Sequence, residues 1–119
     1  MKKYVLSLVL VFAVLSQAPR VPAKVLKMTI TAYSSSADQT DSTPFITASG
    51  STVTENTVAN NDLPFGTLVR LPELFGSQLF VVADRMNARF RRRLDVWMPN
   101  REKANSFGIK YTRVEVVES

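Results

Sequence analysis

Apolar residues first occur as a block, over residues 4–15, and after that mostly at every second position. The block follows Met1, Lys2 and Lys3 and is too short to span a bilayer comfortably, so it reads as the apolar part of a secretory signal. Small residues at Ser16, Ala18 and Ala23, with Val-Pro-Ala at 21–23, place the expected cut after residue 23, with Ala18 as the alternative site. An uncleaved N-terminal anchor is the competing reading. Beyond it, residues 24–33 (KVLKMTITAY) set Val25, Thr31 and Tyr33 on one parity and Leu26, Met28, Ile30 and Ala32 on the other, which predicts a strand. Further strands are expected over residues 53–59, 67–71 (ended by Pro72), 78–83, 93–98 and 111–117. Residues 78–83 are almost continuously apolar, the pattern of a strand covered on both faces.

Between these runs the chain punctuates itself. Residues 34–44 (SSSADQTDSTP) are polar turn formers and predict a surface loop; residues 45–50 (FITASG) end in small hydroxyl residues and a glycine. Turns are expected at Asn60-Asn61-Asp62 and at residues 74–76. One helix is predicted over residues 100–107, with Asn100 as N-cap, Glu102 in the first turn, Ala104 and Phe107 on one face and Gly108 as the stop. Six short strands and one short helix over residues 24–119 argue for a single all-β domain, a six-stranded barrel or sandwich; a monomer is expected. Closure is favoured because no cysteine is present to staple exposed edges.

The formal charge of +5 belongs partly to the leader, which takes Lys2, Lys3 and Arg20 and no acidic residue, leaving +2. The remaining basic character is concentrated at residues 89–93 (RFRRR), a local patch suited to anionic wall polymers and too small to imply nucleic-acid binding. No membrane contact is expected once the leader is gone. With no histidine and no cysteine, imidazole and thiol catalysis and the usual zinc sites are excluded, and the four scattered glycines make no phosphate-binding loop. No metal or cofactor is expected, and carboxylate chemistry remains.

The carboxylates that stand out are Asp84 and Asp95, each delivered by an apolar run on either side of a basic turn. A hairpin over residues 80–97 would fold them toward one another. Leu94, Val96 and Met98 alternate with Arg93, Asp95 and Trp97, so Asp95 shares a face with Trp97. An acid beside an indole suits a sugar site, since Trp packs on a pyranose face and desolvation keeps a carboxyl protonated. The plainer reading is that both aspartates satisfy turns or pair with arginine.

The ordered set Ile30-Thr31-Ala32-Tyr33, Thr47-Ala48-Ser49-Gly50, Val58-Ala59, Pro64-Phe65-Gly66-Thr67, Val81-Val82-Ala83-Asp84, Arg93-Leu94-Asp95-Val96-Trp97, then Ala104 and Phe107-Gly108 resembles the 3D (three-aspartate) domain. That family includes the catalytic part of MltA-type lytic transglycosylases and stationary-phase muralytic proteins. The resemblance covers nearly all of residues 24–119. It implies a double-psi β-barrel that cleaves the MurNAc-GlcNAc bond of peptidoglycan glycan strands without water, leaving 1,6-anhydro ends, in a secreted or cell-envelope protein. It implies Asp95 as the single acid/base, Asp84 as the aspartate that tunes it, and Thr47 and Ser49 as groove hydroxyls. Tyr33, Trp97 and Arg85 are the further residues expected to touch the glycan. The family's first aspartate would fall at Asn60 or Asn61, with Asp62 just beyond, and its glycine-rich segment is replaced by residues 85–90 (RMNARF). A barrel that binds wall glycan without cleaving it is the alternative.

Overall fold

The computed structural model describes residues 22–35 and 45–118. The expected leader lies outside these residues as far as position 21, and so does the polar loop from position 36 to 44. Six strands, β1 (Lys24–Tyr33), β2 (Thr57–Asn60), β3 (Leu68–Arg70), β4 (Leu79–Asp84), β5 (Arg93–Trp97) and β6 (Lys110–Glu118), close into a barrel in the order β1-β5-β2-β4-β3-β6. The sheet is mixed: β1/β5 and β2/β4 pair in parallel, the other neighbours antiparallel. Closure leaves no long free edge, the expected solution for a chain with no disulfide.

The alternation read from the sequence is the alternation of the wall. Met28 and Ile30 from β1, Val58 from β2, Phe80 and Val82 from β4, Leu94 and Val96 from β5 and Val114 from β6 are all at most 2% exposed and fill one core. In β4 the intervening Leu79 and Val81 are half-buried, so this strand alternates where its near-continuous apolar run suggested cover on both faces. Two short helices flank the barrel. In α1 (Pro72–Phe75), a single turn where the sequence suggested only a bend, Pro72 opens the helix, where a missing N–H costs nothing. In α2 (Arg101–Phe107) the Asn100 side chain accepts from the Lys103 N–H at 2.8 Å, as its N-cap position predicts. Phe107 stacks on Phe75, and Phe75 meets Phe80 edge-on at 5.2 Å, which ties both helices to the core.

Two further elements differ from the sequence expectation. The strand expected over residues 53–59 begins only at Thr57. Thr54 accepts from the Asn56 and Thr57 N–H groups in a local turn, which holds the backbone off the ladder. The hairpin expected over residues 80–97 is absent: β4 and β5 run in opposite senses but β2 lies between them. The connection over residues 85–92 is longer than the two to five residues of a tight hairpin and steps across the end of β2. The turn after β2 holds it there. Asn61 donates to the Asn87 and Phe90 carbonyls and accepts from the Met86 N–H, and Asp62 accepts from the Arg92 N–H at 2.8 Å.

Candidate functional site

Backbone register brings the two aspartates together in a way no hairpin would. Ala59 of β2 pairs with Asp95 on one side and with Asp84 on the other, and Asp95 pairs in turn with Thr31 of β1. Thr31, Asp95, Ala59 and Asp84 thus form one transverse row on the outer face, opposite the core residues Val58, Val82, Leu94 and Val96. The row depends on an irregularity. In an unbroken β2/β4 ladder Ala59 would face Ala83; the register shift between Val58 and Ala59 sets it opposite Asp84 and turns that carboxylate out of the barrel wall. Two strand spacings separate the aspartate backbones, about 10 Å, with the small side chain of Ala59 as floor.

Each carboxylate is held differently. Asp84 is fully engaged: one oxygen accepts from the Tyr33 hydroxyl at 2.8 Å, the other from the Ala48 N–H at 2.8 Å and the Arg85 N–H at 3.0 Å. Among the described residues Asp95 accepts one side-chain hydrogen bond, from the Thr31 hydroxyl at 2.9 Å, and Thr31 in turn accepts from the Arg93 guanidinium at 3.3 Å. Burial raises the Asp95 carboxyl above the ordinary carboxylate range. The Thr31 hydrogen bond and the Arg93 charge oppose that rise, and the charge of Asp84 adds to it. Tyr33 is pushed well above the usual phenol range, by burial first and then by the charge and hydrogen bond of Asp84 and the charge of Asp95. It therefore stays a neutral donor at any physiological pH.

The small-residue loop closes one side. Gly50, at φ 89°, lets residues 47–51 turn back so that the Thr47 N–H reaches the Ser51 carbonyl. The hydroxyls of Thr47, Ser49 and Ser51 lie within 2.9–3.1 Å of one another. Ser49 N–H donates to the Ala83 carbonyl and Ala48 N–H to Asp84, which docks this loop on the end of β4. Trp97 pairs with Tyr33 across β5/β1, donates its indole N–H to Ser35 at 2.7 Å, and borders a hollow of about 250 Å³ shared with Phe75, Phe80 and Met98.

No family model matches the chain, and no curated protein sequence does. What the residues can do rests on their arrangement.

Of the residues singled out by sequence, Asp95, Asp84, Tyr33, Thr47, Ser49 and Trp97 gather at one end of the outer face. Arg85 does not present its guanidinium in the same way. Its Nη1 donates to the Asn60 and Leu63 carbonyls and its head lies 3.8 Å from the Phe65 ring centre, so it braces the β2–β3 turn. Asn60, one of the positions matching the family's first aspartate, is fully buried: it accepts from the Asp62 and Leu63 N–H groups and donates to the Arg93 carbonyl. Thr31, Ala59 and Ser51 are not among the site residues the sequence points to, and Arg93 stands out there only as part of the basic patch at 89–93. The parity of β1 already aligned Thr31 with Tyr33, but only the β1/β5 pairing reveals that Thr31 meets Asp95.

Proposed function

We propose that this chain is an exported peptidoglycan-cleaving protein of the 3D domain type, a lytic transglycosylase in which Asp95 is the single acid/base. The observation that carries this reading is the contrast between the two carboxylates. Asp95 is half-buried, raised in pKa and lightly hydrogen-bonded, whereas Asp84 has both oxygens engaged, by three donors in all. An acid that must give and then retake a proton needs free lone pairs and a raised pKa; a positioning residue needs neither.

In the proposed reaction the Asp95 carboxylic acid protonates the bridging oxygen as the C1–O bond breaks. The resulting carboxylate then takes the proton of the muramyl C6 hydroxyl as that oxygen bonds to C1, giving the 1,6-anhydro end and restoring the acid. Asp84 positions Tyr33 and the 47–51 loop, and its charge helps to keep Asp95 protonated. Trp97 and the loop hydroxyls offer an apolar face and polar edges to the sugar.

Thr31 and Arg93 favour the other reading, a barrel that binds wall glycan without cleaving it, because both stabilise the Asp95 carboxylate over the acid. Release of soluble muropeptides from purified sacculi, with mass spectrometry for anhydro-muramyl ends, separates the two. On the lytic reading Asp95→Asn should slow release by roughly 10²–10⁴-fold while the protein stays folded. Near wild-type release by that variant would remove Asp95 from the role, and sacculus binding with no release by the wild type would leave the binding reading.

A further inference from the structure

A second feature of the outer face lies beside the site and is used by none of its chemistry. Tyr111 of β6 is 68% exposed. It pairs with Thr29 of β1, and Thr29 pairs with Arg93 of β5, so Tyr111, Thr29 and Arg93 form the outward row next to the Thr31–Asp95 row. The backbones of Tyr111 and Asp95 are two strands across and two residues along from one another, about 12 Å, a span of roughly two to three linked pyranoses. Beside Tyr111 opens a groove of about 600 Å³, lined by Val25, Lys27, Met28, Arg92 and the Asp62–Arg91 ion pair. That volume is in the range of ligand sites.

The groove has a charge and a floor. Lys27 sits 5.8 Å from the Tyr111 ring centre. Among the described residues, the Arg92 guanidinium makes no ion pair, while Arg91 is held by Asp62 at 3.5 Å. Arg92 is also the described non-glycine residue with positive φ, 51°. Its backbone is fixed on both sides, the N–H by Asp62 at 2.8 Å and the carbonyl by the Thr29 N–H at 2.9 Å. An uncommon backbone conformation held this firmly fixes where the side chain leaves the turn.

We infer that this groove is a remote subsite for an anionic glycan chain, the same strand that lies at Asp95, with a sugar ring on Tyr111 and the carboxylates of its peptide stems at Lys27 and Arg92. The inference rests on the glycan reading of the Asp95 site. Three features select this occupant: an exposed aromatic platform for a sugar face, two cations for the stem carboxylates, and an outward row continuous with the site.

The test is binding by the full chain carrying Asp95→Asn, so that no ligand is cut. The probes are a disaccharide-peptide, a chain of four such disaccharide-peptides, and poly(glycerol phosphate). Adding Tyr111→Ala should weaken binding of the long chain by about tenfold, the order expected for one lost aromatic platform, with less than about a twofold change for the disaccharide. Adding Lys27→Gln and Arg92→Gln should weaken the long chain a few-fold and flatten the salt dependence of its binding. Equal losses for short and long chains, or none for either, would overturn the subsite and leave the Asp95 reading intact. So would losses confined to poly(glycerol phosphate), which would assign the groove to a phosphodiester polymer. Failure of the otherwise wild-type chain to bind or release any glycan would remove the glycan reading and this inference with it.

Discussion

Removing the Asp84 carboxylate should loosen the site by an amount that can be worked from its three hydrogen bonds. Asp84→Ala deletes the acceptors of the Tyr33 hydroxyl and of the Ala48 and Arg85 N–H groups. A hydrogen bond to a charged group contributes about 1.5–3 kcal/mol when shielded; Asp84 is only half-buried and its amide partners can rehydrate, so about 1 kcal/mol each, or about 3 kcal/mol together, is the expected loss. Asp84→Asn keeps one oxygen for the two N–H groups and forces the Tyr33 hydroxyl to accept where it donated, at an expected cost of about 1 kcal/mol. Urea unfolding at fixed pH reads the difference, with the midpoint of the alanine variant falling by about 2–3 M at the m-value of a domain this size. Amide exchange at Ala48 reads it locally. Both substitutions should lower the Tyr33 pKa, because the charge of Asp84 is one of the forces raising it. An alanine variant that lost less than about 0.5 kcal/mol, or that kept the Ala48 amide protected, would refute the view that Asp84 is the joint between β1, β4 and the 47–51 loop.

Because burial raises the Asp95 carboxyl, the native chain holds that proton to higher pH than the unfolded chain does. Stability from this source is fully present below the ordinary aspartate pKa and is lost as pH rises through the raised native value. Asp95→Asn should thus gain on wild type steadily over that window, and denaturant midpoints whose difference did not change with pH would contradict it. In the core, Phe80 is 1% exposed and meets Phe75 edge-on, so Phe80→Ala should cost about 3–5 kcal/mol in the same unfolding assay. A cost under about 1 kcal/mol would mean that the barrel interior collapses around the gap.

How the fold was legible follows from what each element needed. The limits of β1 and the cap and stop of α2 depend on alternation and on Asn100 and Gly108, which act within a few residues of themselves. The start of β2 is hard to read because Val53 and Thr54 have the composition of a strand, while the Thr54 hydroxyl accepts from the Asn56 N–H and the Thr54 N–H donates to the Thr57 hydroxyl instead of joining a ladder. Strand order was beyond any local signal. A run of residues after β4 ending in a basic turn reads as a hairpin loop, and only the Asn61 and Asp62 side chains, which pin that run across β2, show that it is a crossing. Those polar residues look like turn formers in sequence and are in fact the clasp between two loops.

The site shows the same division. Closing a small barrel commits the inward parity of every strand to packing, so whatever chemistry the chain carries must stand on the outward parity or in the loops. That constraint is visible in sequence for Asp95 and Trp97, which alternate with Leu94 and Val96, and for Thr31 and Tyr33, which alternate with Ile30 and Ala32. It misleads for Asp84, whose strict parity is that of Val82 and Phe80 and therefore inward. The β2/β4 register shift reverses it, and no residue at 81–84 announces a bulge by being glycine or proline. The strand most central to the arrangement, β2, supplies no functional group of its own to the row. Its contribution is Ala59, small enough to stand between two carboxylates and paired to both, so that the spacing of Asp84 and Asp95 is set by backbone hydrogen bonds and not by the flexible side chains that would use it.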